Sequence, residues 1–157
     1  MIDLTMSESR ELDGSTLSLA VIVARFNEHI TSRLLEGAKG AAAGHSVRAC
    51  DVFHVPGSFE LPVAALRAAR TGRYDAVVCL GAVIRHETDH YTHVATQAAS
   101  GIQRVALETG VPCHFGVLTC DTNQQALERS SDTRNAGRDA VDAAIETVLT
   151  LRAIDAE

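Results

Sequence analysis

Three features of the 157-residue sequence predict an α/β fold, a three-layer sandwich with helices on both faces of a central four-stranded parallel sheet. One pattern occurs four times: an apolar strand, a polar turn, then a helix ending near glycine, the order that builds a parallel sheet with right-handed crossovers. The strand runs are continuously apolar and β-branched, as in AVVCLGAVI at 76–84, and so suit burial on both faces. The length suffices for one domain with a sizeable core and falls short of two ordinary ones.

In order, the strands are predicted at 17–24, 47–55, 76–84 and 113–119, with helices following at 28–43, 58–70, 89–109 and 138–153. The first strand gives way to ARFNEHI, where Asn27 is a candidate helix cap. The second ends in VPGSFELP. There Pro56-Gly57 makes a tight turn, Ser58 is a candidate cap, and Pro62 falls in the first helical turn, where a missing N–H is tolerated. The third strand is bounded by Arg85, His86 and Glu87; Thr88 then caps a helix whose dipole Asp89 complements. After the fourth strand, Asp121 or Thr122 caps a short helix at 123–129. Residues 130–137 have neither the apolar periodicity nor the propensity of a helix and read as a polar, mobile hinge. Residues 1–15 read as a polar arm, disordered or docked on a partner, and 16–157 as one domain.

Composition excludes several functions. With 46% hydrophobic and 22% charged residues the chain reads as soluble and globular, and no apolar stretch approaches the roughly 20 residues that cross a bilayer. The acidic start lacks the basic-then-apolar order of a signal peptide, so a cytoplasmic location is expected. A net charge of −6 without a dense basic face argues against nucleic acid. Cys50, Cys79, Cys113 and Cys120 form no C-x-x-C pair and read as reduced core thiols. His86, His90 and His93 lack the H-E-x-x-H pairing, and no metal is expected.

All four strand-to-helix turns of a parallel sheet share one rim, where α/β proteins place ligands. Phe26 offers a ring for stacking, or a hydrophobic staple at the helix entry. Backbone donors at Ser58 and Phe59, beside the Glu60 carboxylate, suit a polyhydroxyl ligand, or simply a capped helix. Free N–H groups around Glu87 and Thr88 suit a phosphate, with His90 one turn further in to move protons; a plain exposed histidine fits the same position. Arg129 at the end of the short helix is able to grip a phosphate in a fork, or to lie idle on the surface. Together these residues suit a sugar-bearing heterocycle and a small phosphate. The alanine-rich helices (41–43, 64–65, 68–69, 95–101) fit either packing against other subunits or ordinary helix propensity.

With these residues in hand, the sequence resembles the lumazine synthase family from about residue 21 to 151. The match is carried by FN at 26–27, VPGSFELP at 55–62, YDAVVCLGAVIR at 74–85, ET-x-H-Y at 87–91, FGVLT at 115–119 and QALER at 125–129. The resemblance implies flavodoxin-like winding and a cofactor-independent enzyme of riboflavin biosynthesis. Such enzymes join 5-amino-6-ribitylaminouracil to 3,4-dihydroxy-2-butanone 4-phosphate with loss of phosphate and water. It implies that Phe26 stacks on the pyrimidine and that Ser58, Phe59 and Glu60 hold the ribityl chain. Backbone at Val83 and Ile84 reads the pyrimidine edge, Glu87 and Thr88 amides with Arg129 hold the phosphate, and His90 relays protons. It further implies a homopentameric ring in which a neighbour lends Phe115 and Arg129. Such rings stay separate, pair, or close into a sixty-subunit icosahedral shell, for which the short hinge is suited, with riboflavin synthase as a candidate partner.

Three positions depart from the family pattern: His86 stands where glycine is usual, Asp89 where proline is common, and Asn135-Ala136-Gly137 where N-K-G is usual, with Arg134 or Arg138 nearby to replace the lysine charge. His86 and Ala136 motivate a rival reading, a weakened paralogue that binds flavin or lumazine or only builds a shell. A flavodoxin-like electron carrier fits less well, because ARFNE stands where a Gly/Ser/Thr-rich phosphate loop would follow the first strand.

Overall fold

The computed structural model describes residues 11–157, and the four predicted strands form one sheet. β1 (Ser18–Ala24), β2 (Ala49–Val55), β3 (Ala76–Ile84) and β4 (Cys113–Cys120) run parallel in the order β2-β1-β3-β4. Five α-helices join and follow them: α1 (Glu28–Gly44), α2 (Leu61–Arg70), α3 (His90–Thr109), α4 (Asn123–Glu128) and α5 (Ala136–Asp155). From β1 the chain first winds outward to β2, then back across to β3 and β4. Right-handed crossovers in opposite directions pass over opposite faces. Accordingly α1 and α5 cover one face of the sheet, and α2 and α3 cover the other.

Strand periodicity assigns each side chain to a layer. Leu19, Val21 and Val23 of β1 pack with Ile30 and Leu34 of α1 and with Val141 and Ile145 of α5. Ala20, Ile22 and Ala24, pointing the other way, pack with Leu61 and Ala65 of α2 and Ile102 of α3. Every residue of β1 is buried, as its unbroken apolar run requires, and full burial of each Val, Leu or Ile contributes about 1.5–3 kcal/mol. Edge strands β2 and β4 are only partly covered. At one crossing a side chain has no room: a Cβ on Gly137 in α5 would collide with the Leu34 carbonyl of α1.

Element ends move by at most two residues from their predicted places, with one exception. The helix expected at 58–70 divides into a 3-10 turn, Ser58–Glu60, and α2, with Pro62 in the first turn of the latter. The 130–137 segment is not the mobile hinge its composition suggests. Buried Asn135 accepts from the N–H groups of Gly137 and Arg138 at 2.9 and 3.1 Å, capping α5, and donates through Nδ2 to the carbonyls of Arg33 and Ser130. The Ala136 N–H donates to the Arg129 carbonyl at 2.9 Å, binding the start of α5 to the end of α4.

The predicted N-terminal arm lies outside the described residues as far as position 10. Beyond it Leu12 packs against the core, and the Gly14 N–H donates to the His45 carbonyl at 2.9 Å. All four cysteines are free. Burial pushes the Cys79 thiol up, and that of half-buried Cys113 up to about 12, which suits inert packing residues. Among the described residues no helix is long and apolar enough to cross a membrane.

Candidate functional site

The C-terminal rim of the sheet opens where winding reverses, between β1 and β3. Parallel sheets leave a crevice at such a point because the flanking loops turn to opposite faces. Pairing of β1 with β3 ends at Val23 opposite Leu80, so the last residues of β3 run on without a β1 neighbour. The loop after β1 bends over this gap at Asn27, a non-glycine residue in the left-handed region at φ 62° and ψ 46°. Its side chain does not cap α1 as expected. Nδ2 instead donates to the Ala82 carbonyl at 2.9 Å, supplying the partner that β1 no longer provides.

The second loop is fixed to the first by the Phe26 N–H, which donates to the Pro56 carbonyl at 2.9 Å. Ser58 does not cap the following helix either; the Glu60 carboxylate accepts from the Gly57 N–H at 2.9 Å and closes the turn. Ser58 is buried against β3, where glycine at 81 leaves room for it: a Cβ there would meet Ser58 Oγ and lie 3.3 Å from Leu61 Cδ1. In the third loop the helix begins one residue later than predicted. Asp89 holds the cap position without a side-chain bond, and the Thr88 hydroxyl accepts from the His90 N–H at 3.4 Å.

These three loops enclose a cleft of about 680 Å³. Phe26, Ser58, Phe59, Glu60, Val83, Ile84, Thr88 and His90 all line it, so eight of the residues singled out from the sequence converge although up to 64 positions separate them. Asn27, His86, Tyr91 and His93 join them. Phe26 and Phe59 are 68% and 59% exposed, leaving two aromatic surfaces for a ligand or another chain. Glu87, Phe115 and Arg129 are not in this lining. Phe115 lies near the other end of the sheet, paired with Cys79 and 40% exposed on the edge strand. Arg129 ends α4, where Thr122, not Asp121, is the cap; its Nη1 donates to the Gln125 carbonyl of its own helix at 3.2 Å.

A model of the 6,7-dimethyl-8-ribityllumazine synthase family matches residues 16–152. A 6,7-dimethyl-8-ribityllumazine synthase from Gloeobacter violaceus is 45% identical over 96% of this chain and 87% of its own length. The chain belongs to the 6,7-dimethyl-8-ribityllumazine synthase family.

Against that family's usual pattern, His86 is accommodated without backbone strain, since Asn27 and Ser46 are the non-glycine residues with positive φ among those described. The residue joins the cleft lining. Neither arginine near the absent lysine enters the cleft: Arg138 Nη2 donates to the Asp132 carbonyl at 2.9 Å, and Arg134 is exposed in the 131–134 turn. Sequence reasoning overlooked Arg85. Its Nε donates to Asp121 Oδ1 at 2.8 Å and its guanidinium lies 4.5 Å from the Tyr91 ring centroid, joining the exits of β3 and β4 to the first turn of α3. The visible signal was an arginine one residue past a buried strand, opposite an aspartate at the matching strand exit. Among the described residues no group of three His, Cys, Asp or Glu side chains is arranged to hold a metal ion.

Proposed function

We propose that this chain forms 6,7-dimethyl-8-ribityllumazine in riboflavin biosynthesis, condensing 5-amino-6-ribitylaminouracil with 3,4-dihydroxy-2-butanone 4-phosphate and releasing phosphate and water. The observation that carries the reading is the match to this family over 16–152, in a chain whose cleft gathers Phe26, Ser58–Glu60, Val83, Ile84, Thr88 and His90. In this reading Phe26 stacks on the pyrimidine, and backbone at Val83 and Ile84 reads its polar rim. Ser58, Phe59 and Glu60 hold the ribityl hydroxyls. Glu87 and Thr88 amides take the phosphate at the start of α3, where the helix dipole favours an anion.

The chemistry is a sequence of proton transfers. The amine adds to the ketone, the carbinolamine loses water, phosphate departs from the carbon chain, and ring closure expels a second water. A histidine serves these steps well, because one imidazole is able both to accept and to donate a proton. His90 is that group. Holding two reactants side by side supplies much of the rate, so the cleft remains useful without it.

The working unit is a ring of identical chains in the cytoplasm, each lending Phe115 and Arg129 to the next cleft. Support comes from their place outside their own chain's cleft and from the exposure of Phe26, Phe59, Val63, Leu107 and Phe115. Such rings are a pentamer, free or closed into an icosahedral shell, and riboflavin synthase would consume the product. The test is to mix purified chain with both substrates and follow lumazine absorbance together with phosphate release. Equal amounts of the two products, well above the uncatalysed rate, are expected; background alone overturns the reading.

A further inference from the structure

The cleft holds no lysine or arginine of its own. Every group in its wall able to become cationic is an imidazole, His86, His90 or His93, and the wall's carboxylate, Glu60, already accepts from the Gly57 N–H. None of these three imidazoles makes a hydrogen bond or ion pair among the described residues, whereas His29 and His45 are bonded to Asn123 and Asp142. The nearest arginine in sequence, Arg85, is committed to Asp121 and Tyr91 and stands outside the lining. His86 lies on the loop that delivers Thr88 and the start of α3, and lines the same cleft as both.

We infer that the His86 imidazolium binds the phosphate of the four-carbon substrate, giving this cleft a phosphate affinity that rises as pH falls. The inference rests on the function proposed above and adds to it a ligand that this chain carries where relatives usually have glycine. An exposed, uncommitted imidazole donates two N–H groups when protonated and strengthens its bond to an anion through charge. The titratable and charged groups around it are Glu87 and Asp89 on its own loop, Glu60 on the 3-10 turn, His90, Tyr91 and His93 on α3, and the Arg85–Asp121 pair at the strand exits. An arginine from a neighbouring chain keeps its charge throughout and adds no dependence on pH.

Inorganic sulfate is the probe, because it stays dianionic where phosphate itself titrates. Its dissociation constant is measured by calorimetry on the full-length assembled chain between pH 5.5 and 8, with His86→Gln and His93→Gln beside the parent. The parent should lose about tenfold in sulfate affinity across this range, from the loss of one charge-assisted contact. H86Q should change less than about twofold, and H93Q should follow the parent. In turnover at pH 6, H86Q should raise KM for the phosphate substrate and leave KM for the ribityl substrate unmoved. A slope retained in H86Q, or abolished by H93Q alone, overturns the assignment. Sulfate binding is read without turnover, so a chain that makes no lumazine would defeat the proposed function while still reporting on His86.

Discussion

Replacing Asn135 with alanine removes one side chain that serves three segments. The Oδ1 atom caps α5 through Gly137 and Arg138, and Nδ2 reaches the carbonyl of Arg33 in α1 and that of Ser130, with Asn135 itself only 4% exposed. Loss of such a cap costs about 1 kcal/mol, and a buried carbonyl left without its donor costs about 1–3 more. The variant should therefore lose about 3 kcal/mol, a fall in Tm of roughly 6–12 °C for a chain of this size. Asn135→Asp separates the two parts, because it keeps an acceptor for the cap but turns a carboxylate oxygen toward two carbonyls, and should be no better than alanine. Urea and thermal unfolding at matched chain concentration measure both. The Ala136–Arg129 backbone bond links this corner to Arg129, the proposed phosphate ligand, so surviving N135A protein should also show a raised KM for the phosphate substrate. A loss below about 1 kcal/mol in N135A would refute the view that residues 130–137 are a fixed strut.

Three further outcomes follow from the geometry. His90→Ala should slow turnover modestly because positioning remains, while Arg129→Ala should raise KM for the phosphate substrate; steady-state rates unchanged in both would remove these roles. Gly81→Ala should press on Ser58 and Leu61, raising KM for the ribityl substrate with about 1–3 kcal/mol of destabilisation, and wild-type kinetics would contradict the placement of Ser58. Burial holds the His114 imidazole below its ordinary pKa, so the folded state favours the neutral form. That stability is complete above the unfolded pKa, near 6.5, and is lost as pH falls toward the lower folded value. His114→Gln should flatten this part of the acid-unfolding profile, and an unaltered profile would show that His114 does not contribute.

The strands and their layers were legible because strands buried on both faces need unbroken apolar runs, and β1 and β3 have them. The cleft was legible for the same reason: parallel strands deliver their exits to one rim, so residues as distant as Phe26 and His90 had to converge. Cap chemistry was less readable. Asn27 and Ser58 have the composition of helix caps, yet one bonds across to Ala82 and the other is buried beneath its turn, choices set by where β1 leaves the sheet. The 130–137 segment misled for a similar reason, since its order comes from a polar side chain bonding to α1, about a hundred residues away, and not from local apolar periodicity. Arg85 escaped notice because its partners lie on a different strand exit and the next helix.

In the proposed function one chain's cleft is completed by Phe115 and Arg129 of its neighbour, and mixed assemblies test this most directly. Chains carrying Arg129→Ala are co-refolded with an equal amount of chains carrying Glu60→Gln and His90→Ala, and lumazine formation is compared with that of each parent variant refolded alone. Sites shared around a ring should regain intact pairs in about a quarter of positions, so the mixture should clearly exceed the mean of its components. A mixture equal to that mean would show that each cleft draws on its own chain alone.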